Sequence, residues 1–284
     1  MLLLPVPGDL PLERGDLTPV DVASIEAITF DFGNTLVQVD RAGLRRVVEA
    51  TGEAAVDRLG PFELDAFLVI WAEERARQFR EEVPQFREVD LADRFVRLLA
   101  RLRGMSPPPD EVAWDQAAAA RLSDPDEIDW AVEVYSAAFV RVMPPDPSVE
   151  RSLAALARQR TLAILSNWPL AATIDRYADA AGWTPHLTAI VVSQRVGTIK
   201  PDPAIFAEAR RLLGDPPPQA ILHVGDDWAA DVVGAVRAGW RAAYVRSRPE
   251  DSPLPASDRD LSVSADLEID DVRELTALFD GHDG

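Results

Sequence analysis

The 284 residues are 47% hydrophobic and 27% charged, ample for the core of one large domain or two smaller ones. A net charge of −19 and an isoelectric point near 4.5 oppose binding to nucleic acid or to an anionic membrane surface, so an anionic substrate would need a local positive pocket. The chain has no cysteine, which excludes disulfides, thiolate nucleophiles and thiolate metal sites.

Residues 1–22 are punctuated by Pro and Gly and read as an N-terminal extension that wraps the surface. Their apolar start, Met1-Leu-Leu-Leu-Pro-Val-Pro, lacks the basic region, the apolar length and the cleavage site of a secretory signal. No apolar run approaches ~18 residues, so no membrane span is expected and the cytoplasm is the default location. Residues 23–39 hold the stretch Ala27-Ile-Thr-Phe-Asp31-Phe-Gly33-Asn-Thr35-Leu, an apolar strand that ends in one carboxylate and then turns. Ligands bind at that end of a strand in open α/β sheets. An Asx turn explains the same residues without a ligand.

From about Arg41 to Val142 the apolar residues recur at three- and four-residue spacings, as in Leu44, Val47, Val48 and in Phe62, Leu64, Phe67, Leu68, Trp71. Breaks at Gly60-Pro61, Pro84, Gly104 to Pro109 and Asp124-Pro125 divide this block. An insert of four or five helices over residues 40–143 is expected. Pro144-Pro145-Asp146-Pro147 closes it, because proline disfavours helix in the residue before it.

Over residues 144–284 helices and strands alternate. A helix from about Ser148 to Arg158 precedes the strand Thr161-Leu-Ala-Ile-Leu, which ends in Ser166-Asn167. A helix over about Leu170 to Ala181, the strand Thr188 to Val192, a helix over Pro201 to Leu213 and the strand Ala220 to Asp226 follow. A helix through Arg237, a short strand at Ala242 to Val245, and a last strand and helix between Val263 and Phe279 complete the chain, with Pro249 to Pro255 as a mobile loop. The pattern predicts an α/β fold, a doubly wound parallel sheet with the all-helical insert after its first strand. Of the basic residues 28 are Arg and one is Lys, Lys200. A compact ammonium kept where arginine is otherwise the rule suggests a site that wants a point charge.

Two long motifs, Gly197-Thr-Ile-Lys200-Pro-Asp-Pro-Ala-Ile-Phe206 and His223-Val-Gly-Asp226-Asp-Trp-Ala-Ala-Asp231 continuing to Gly239, together with Asp31 and Ser166-Asn167, resemble the haloacid dehalogenase (HAD) superfamily of hydrolases. The resemblance is to the branch with a helical cap inserted after the first strand of a Rossmann-like core. It implies that Asp31 is a nucleophile that accepts a phosphoryl group, and that Asp31, Asp226 and the backbone carbonyl of Gly33 bind Mg²⁺. Asp231 would orient metal-bound water or pair with Lys200, which would neutralise Asp31 and the phosphoryl oxygens. Ser166 would donate its hydroxyl to a phosphoryl oxygen, and Asn167 its amide, unless that amide holds the loop. Thr35 would stabilise the turn or assist acid/base chemistry, and Asp227 would add a ligand or, the favoured role, cap the next helix.

One position departs from the pattern: family phosphatases place a second Asp, the general acid/base, where this chain has Gly33. General acid catalysis contributes ~10²–10⁴-fold, so the resemblance implies a Mg²⁺-dependent phosphatase of small phosphorylated metabolites with a good leaving group, such as sugar 1-phosphates or acyl phosphates. The alternatives are a weakened family member that binds a ligand or partner, and, behind it, a dehalogenase. A phosphonate hydrolase would need a lysine in the insert, which has none. Trp71, Arg75, Trp114 and Trp130 could face the cleft, although packing is the commoner use of such residues. Trp168 could line the entrance. His223 reads as structural, and His186 and His282 lack ligand-like neighbours. Oligomeric state is not legible in the sequence.

Overall fold

The computed structural model describes residues 21–280. The expected extension lies outside them except for Asp21 and Val22, and so does His282. After β1 (Ala27–Phe30) come the helices α1 (Arg41–Leu59), α2 (Leu64–Glu82), α3 (Leu91–Leu102), α4 (Gln116–Ala120) and α5 (Pro125–Val142). They are followed by α6 (Pro147–Leu156), β2 (Thr161–Ser166), α7 (Ala171–Ala180), β3 (Ala189–Val192), α8 (Ser193–Val196), α9 (Pro203–Leu212) and β4 (Ile221–Gly225). A π-helical turn (Trp228–Val233) runs into α10 (Gly234–Arg237), and β5 (Arg241–Val245), β6 (Leu267–Ile269) and α11 (Glu274–Asp280) end the described chain.

Local chemistry sets the helix ends. Asp124 caps α5 in a reciprocal box with Glu127, and Pro125, which lacks an N–H, takes the first helical position. Asp40, Asp90, Asp146 and Asp202 cap α1, α3, α6 and α9 by accepting a first-turn N–H, without the reciprocal partner, so part of the acidic surplus serves helix starts. The helix expected from Pro201 therefore begins at Pro203, with Asp202 as its cap. The segment after β4 is not a continuous α-helix, because it opens with the π turn.

The sheet has six parallel strands in the order β3-β2-β1-β4-β5-β6. The chain runs outward from β1 through β2 and β3, then crosses back to β4 on the other side of β1. That reversal opens a crevice at the carboxyl ends of β1, β2 and β4. Alternation along β1 sends Ile28 and Phe30 into a cluster with Ile164, Val224, Phe67 and Phe139, and Ala27 into a second one with Leu165, Ile205 and Trp240. The sheet is thus covered on both faces, as its continuous apolar runs require.

Phe32 joins the helical block to the sheet. Its ring packs against Phe139 of α5 at 6.0 Å, Trp168 at 5.1 Å and Tyr177 of α7 at 5.3 Å. Asp31 is therefore gripped on one side by the central strand and on the other by an aromatic anchor. Among the described residues no helix is long and apolar enough to cross a membrane.

Candidate active site

Asp31 follows β1 directly, its N–H donating to the Val224 carbonyl of β4 at 2.8 Å. Its carboxylate is 8% exposed at residue level, and Lys200 Nζ stands 2.9 Å from Oδ1. The same ammonium donates to Asp231 Oδ1 at 2.6 Å and to the Leu165 carbonyl at 2.8 Å, so all three of its hydrogens are used. Asp231 Oδ1 also receives His223 Nε2 at 3.0 Å, and its Oδ2 receives the Asp227 N–H at 2.8 Å. The Thr29 hydroxyl lies 2.8 Å from His223 Nδ1, which completes the chain.

Burial and charge set the protonation of this floor. For Lys200, burial acts downward, but the carboxylates of Asp231 and Asp31 outweigh it and hold the ammonium charged. Burial would raise Asp231, yet Lys200 and the His223 hydrogen bond hold it far below the usual range. Burial and the neighbouring Lys200 push His223 down. A neutral ring then donates from Nε2 to Asp231 and accepts at Nδ1 from Thr29. Asp31 is pushed up to about 6 by burial, with Lys200 opposing. Asp226 rises further, to about 8, because burial and the charges of Asp31 and Asp231 act together against Arg248.

The turn after Asp31 is closed on itself. Asn34 adopts φ +59°, and its side chain accepts the Val39 N–H while donating toward Asp226 Oδ2 at 3.3 Å and Ser252 Oγ at 3.1 Å. The bridge to Val37 uses the Phe32 carbonyl and the Asn34 N–H. That leaves the Gly33 carbonyl without a donor among the described residues.

The Ser166 and Thr35 hydroxyls are buried and have no well-aligned hydrogen-bond partner among the described residues, although Ser166 stands close enough to Asp31 to favour its ionisation. Such orphans are rare in native interiors, and the Ser166 hydroxyl, beside the Asp31 carboxylate, marks a place where a ligand's acceptor belongs. Of the two roles expected for Asn167, the bonds seen are those of the loop: both ends of its amide are bound to the Lys200 backbone, at 2.7 and 3.0 Å. It fixes the residue that carries the ammonium. Asp227 caps the π turn through Ala230 N–H and accepts from Ser257, which occupies its carboxylate away from the crevice.

The segment expected to be a mobile loop instead packs across the crevice. Arg248 Nη1 donates to Asp226 Oδ2 at 3.0 Å, and its other hydrogens tie down the Leu254 and Pro255 carbonyls. A Cβ at Gly33 would stand 2.5 Å from Leu254 Cδ1 and 3.1 Å from Trp168 Cζ3, so a side chain there requires Leu254 to move. Little in the local pattern signals this strap, because Leu254 sits in a polar, Pro-rich run. Trp168 borders the turn, and Arg75 reaches the strap at the Pro253 carbonyl, 3.4 Å away. Trp114 is bound to Glu74 inside the helical block, and Trp130 lies under Arg58. His186 pairs with Glu150 at the surface.

Asp31, Asp226 and Asp231 offer oxygens within 4.8 Å of one another. Three buried carboxylates form a hard-oxygen set that suits Mg²⁺. Asp31 and Asp226 are the ones fit for direct ligation, since both oxygens of Asp231 already accept hydrogen bonds.

The model of the family described as haloacid dehalogenase-like hydrolase matches residues 25–239. A glyceraldehyde 3-phosphate phosphatase of Methanopyrus kandleri is 41% identical over 86 residues, 30% of this chain and 35% of that protein. A phosphoserine phosphatase of Thermus thermophilus is 36% identical over 138 residues, 48% of this chain and 51% of that protein. The chain thus spans between about a third and a half of these relatives' lengths. A 2-haloacid dehalogenase structure from Pseudomonas syringae aligns with a TM-score of 0.59 at 21% identity, over 90% of this chain and 99% of that one.

Proposed function

The chain belongs to the haloacid dehalogenase-like hydrolases, and on that premise we propose that it is a Mg²⁺-dependent phosphatase of small phosphorylated metabolites working through an aspartyl phosphate on Asp31. The observation that carries this reading is the buried Ser166 hydroxyl, without a well-aligned partner among the described residues, set beside a carboxylate that Lys200 keeps in place. The phosphatase names of the partly matching relatives support the substrate class.

In the first step a carboxylate oxygen of Asp31 attacks phosphorus, and the bond from phosphorus to the leaving oxygen breaks. Lys200 and the Ser166 hydroxyl stabilise the charge that spreads over the equatorial oxygens. In the second step water attacks phosphorus, the bond to Asp31 breaks, and inorganic phosphate leaves. Mg²⁺ held by Asp31, Asp226 and the Gly33 carbonyl would supply charge neutralisation and orientation. Asp231 positions Lys200, and His223 positions Asp231.

Gly33 offers no acid for the leaving oxygen. Leaving groups that depart without a proton, anomeric and acyl oxygens, are therefore favoured over simple alkoxides. The test is phosphate release from a panel of sugar 1-phosphates, acyl phosphates and alkyl monoesters, with Mg²⁺ and with EDTA, for wild type and Asp31→Asn. Release that needs both Mg²⁺ and Asp31 is the expected result. Its absence across the panel would leave the second reading, a ligand-binding protein without turnover, which Leu254 packed over Gly33 favours.

A further inference from the structure

Arg94 of α3 is 3% exposed, and its Nε donates to Gln78 Oε1 at 2.8 Å. Its guanidinium lies over the Trp71 ring, 5.0 Å from the centroid. Neither Nη group has a hydrogen-bond partner among the described residues, and no carboxylate comes within ion-pairing distance. The other buried arginines of this block differ. Arg77 donates to Glu81 and to three carbonyls, and Arg97 to Glu81 and Gln116.

An unpaired buried cation is costly, and in a chain of net charge −19 a carboxylate partner would be easy to supply. Glu88, the carboxylate whose charge reaches Arg94, instead accepts from Ser193 Oγ at 2.6 Å and from its neighbour's N–H. Burial lowers the Arg94 guanidinium to about 10, so it stays charged at neutral pH. Arg75 is also without a carboxylate; its one hydrogen bond is the long contact to Pro253. The hydroxyl of Tyr135, whose ring stacks on Trp71 at 5.8 Å, lies close enough to feel both guanidinia and makes no hydrogen bond among the described residues.

Two contacts tie this group to the crevice. Arg75 touches the strap one residue before Leu254, which covers Gly33. α3 begins where the Leu91 N–H donates to the Pro169 carbonyl, three residues beyond Ser166. We propose that Arg94, with Arg75 and the Tyr135 hydroxyl, binds a second oxyanion of the substrate, a carboxylate or a further phosphate, while Asp31, Lys200 and Ser166 engage the phosphoryl group. The inference rests on the phosphatase reading for that placement. A guanidinium fork with two free Nη groups matches two oxygens of one oxyanion, which a lysine could not do. The substrates are then phosphorylated acids or bisphosphates, and neutral phosphorylated alcohols are discriminated against.

The test is binding to Asp31→Asn, which removes the nucleophile and so separates affinity from turnover. Phosphoserine is compared with phosphoethanolamine, and phosphoglycolate with ethyl phosphate, by calorimetry in the presence of Mg²⁺. Within each pair the acid should bind about tenfold or more tightly, as for a hydrogen bond between charged groups. The bisphosphate of ethylene glycol, measured beside ethyl phosphate, separates the two kinds of oxyanion. Adding Arg94→Gln should bring the ratios near one, and Arg94→Lys should restore part of them. If Arg94→Gln melts the block, seen as lost helicity, Arg94→Lys and Arg75→Gln carry the comparison. Ratios of one in Asp31→Asn, or an equal loss for both members of each pair, overturn the proposal. Preserved ratios in a protein that hydrolyses none of the panel would overturn the phosphatase reading and leave the oxyanion site standing.

Discussion

The floor and the mouth of the crevice are built on opposite rules. On the floor the charged groups are tied to one another: Lys200 uses three hydrogens, Asp231 accepts three bonds, and His223 links Asp231 to Thr29. From the floor toward the mouth the groups are left open: Ser166 and Thr35 carry hydroxyls with no well-aligned partner among the described residues, and Arg94 has two Nη groups with none. A completed buried network rigidifies what it holds, whereas an incomplete one leaves groups whose desolvation is compensated only when a ligand arrives. Floor residues should therefore matter for stability and activity together, and mouth residues for activity alone.

The largest expected effect comes from breaking the floor. Lys200→Met leaves Asp31 and Asp231 facing each other in a buried space without their shared cation. Removing one member of such a group costs about 3–5 kcal/mol. Urea unfolding should show this loss, with phosphate release falling together with it. A variant as stable as wild type would mean that the network does not hold the fold.

Ser166→Ala should show the reverse pattern. It removes an orphaned hydroxyl, so unfolding should be unchanged or slightly harder. One donor to a developing charge is worth roughly 10²-fold in kcat, and steady-state phosphate release measures it. Equal losses in stability and rate would erase the distinction between floor and mouth.

A pH-dependent strain lies where the helical block meets the core, at Glu88, which accepts from Ser193. Burial pushes the Glu88 carboxyl from 4.5 up to about 7, against its bonds to Ser193 and to the Val89 N–H. The folded state holds this proton more tightly than the unfolded one, so the wild type loses stability as pH rises from about 4.5 through about 7. Glu88→Gln keeps an acceptor for the Ser193 hydroxyl and has no proton to lose. Its advantage over wild type should be absent at low pH and grow to about 2 kcal/mol above neutrality. Thermal melts across the range read it directly, and a constant difference would refute it.

The sequence shows the floor more plainly than the mouth, for a physical reason. Asp31 and Asp226 stand where apolar runs stop, and Lys200 stands out among arginines, so local pattern alone singles them out; of the open groups only Ser166, also at a strand end, is legible in this way. The interruption of the sheet by a helical block is legible in the change of apolar spacing after Arg41. Arg94 is invisible to the same reasoning, because an arginine on an amphipathic helix normally belongs to a solvated face. Arg248 and Leu254 were also hidden, since where they land depends on how the β5–β6 connection crosses the sheet. The sequence leaves the role of Asn167 open between phosphate and loop, and its bonds to the Lys200 backbone, which depend on how two segments distant in sequence meet, are what favour the loop.

The smallest effect sharpens the boundary between the two regions at Asp226, the one acid that meets both. Arg248 spans Asp226 Oδ2 and the strap carbonyls of Leu254 and Pro255. Its guanidinium also favours ionisation of Asp226, which burial otherwise holds up near 8. These two influences pull in opposite directions on cation binding: repulsion weakens it, and a readier carboxylate strengthens it. Their sum has a definite sign, because exchanging one proton for Mg²⁺ adds a unit of positive charge, and a neighbouring cation opposes that gain. Arg248→Ala should tighten Mg²⁺ binding by about three- to tenfold, the range for a partly screened charge pair. Calorimetric titration at neutral pH measures it. Weaker binding in the variant would show instead that the strap, anchored by Arg248, helps to hold the acidic floor in its metal-binding shape.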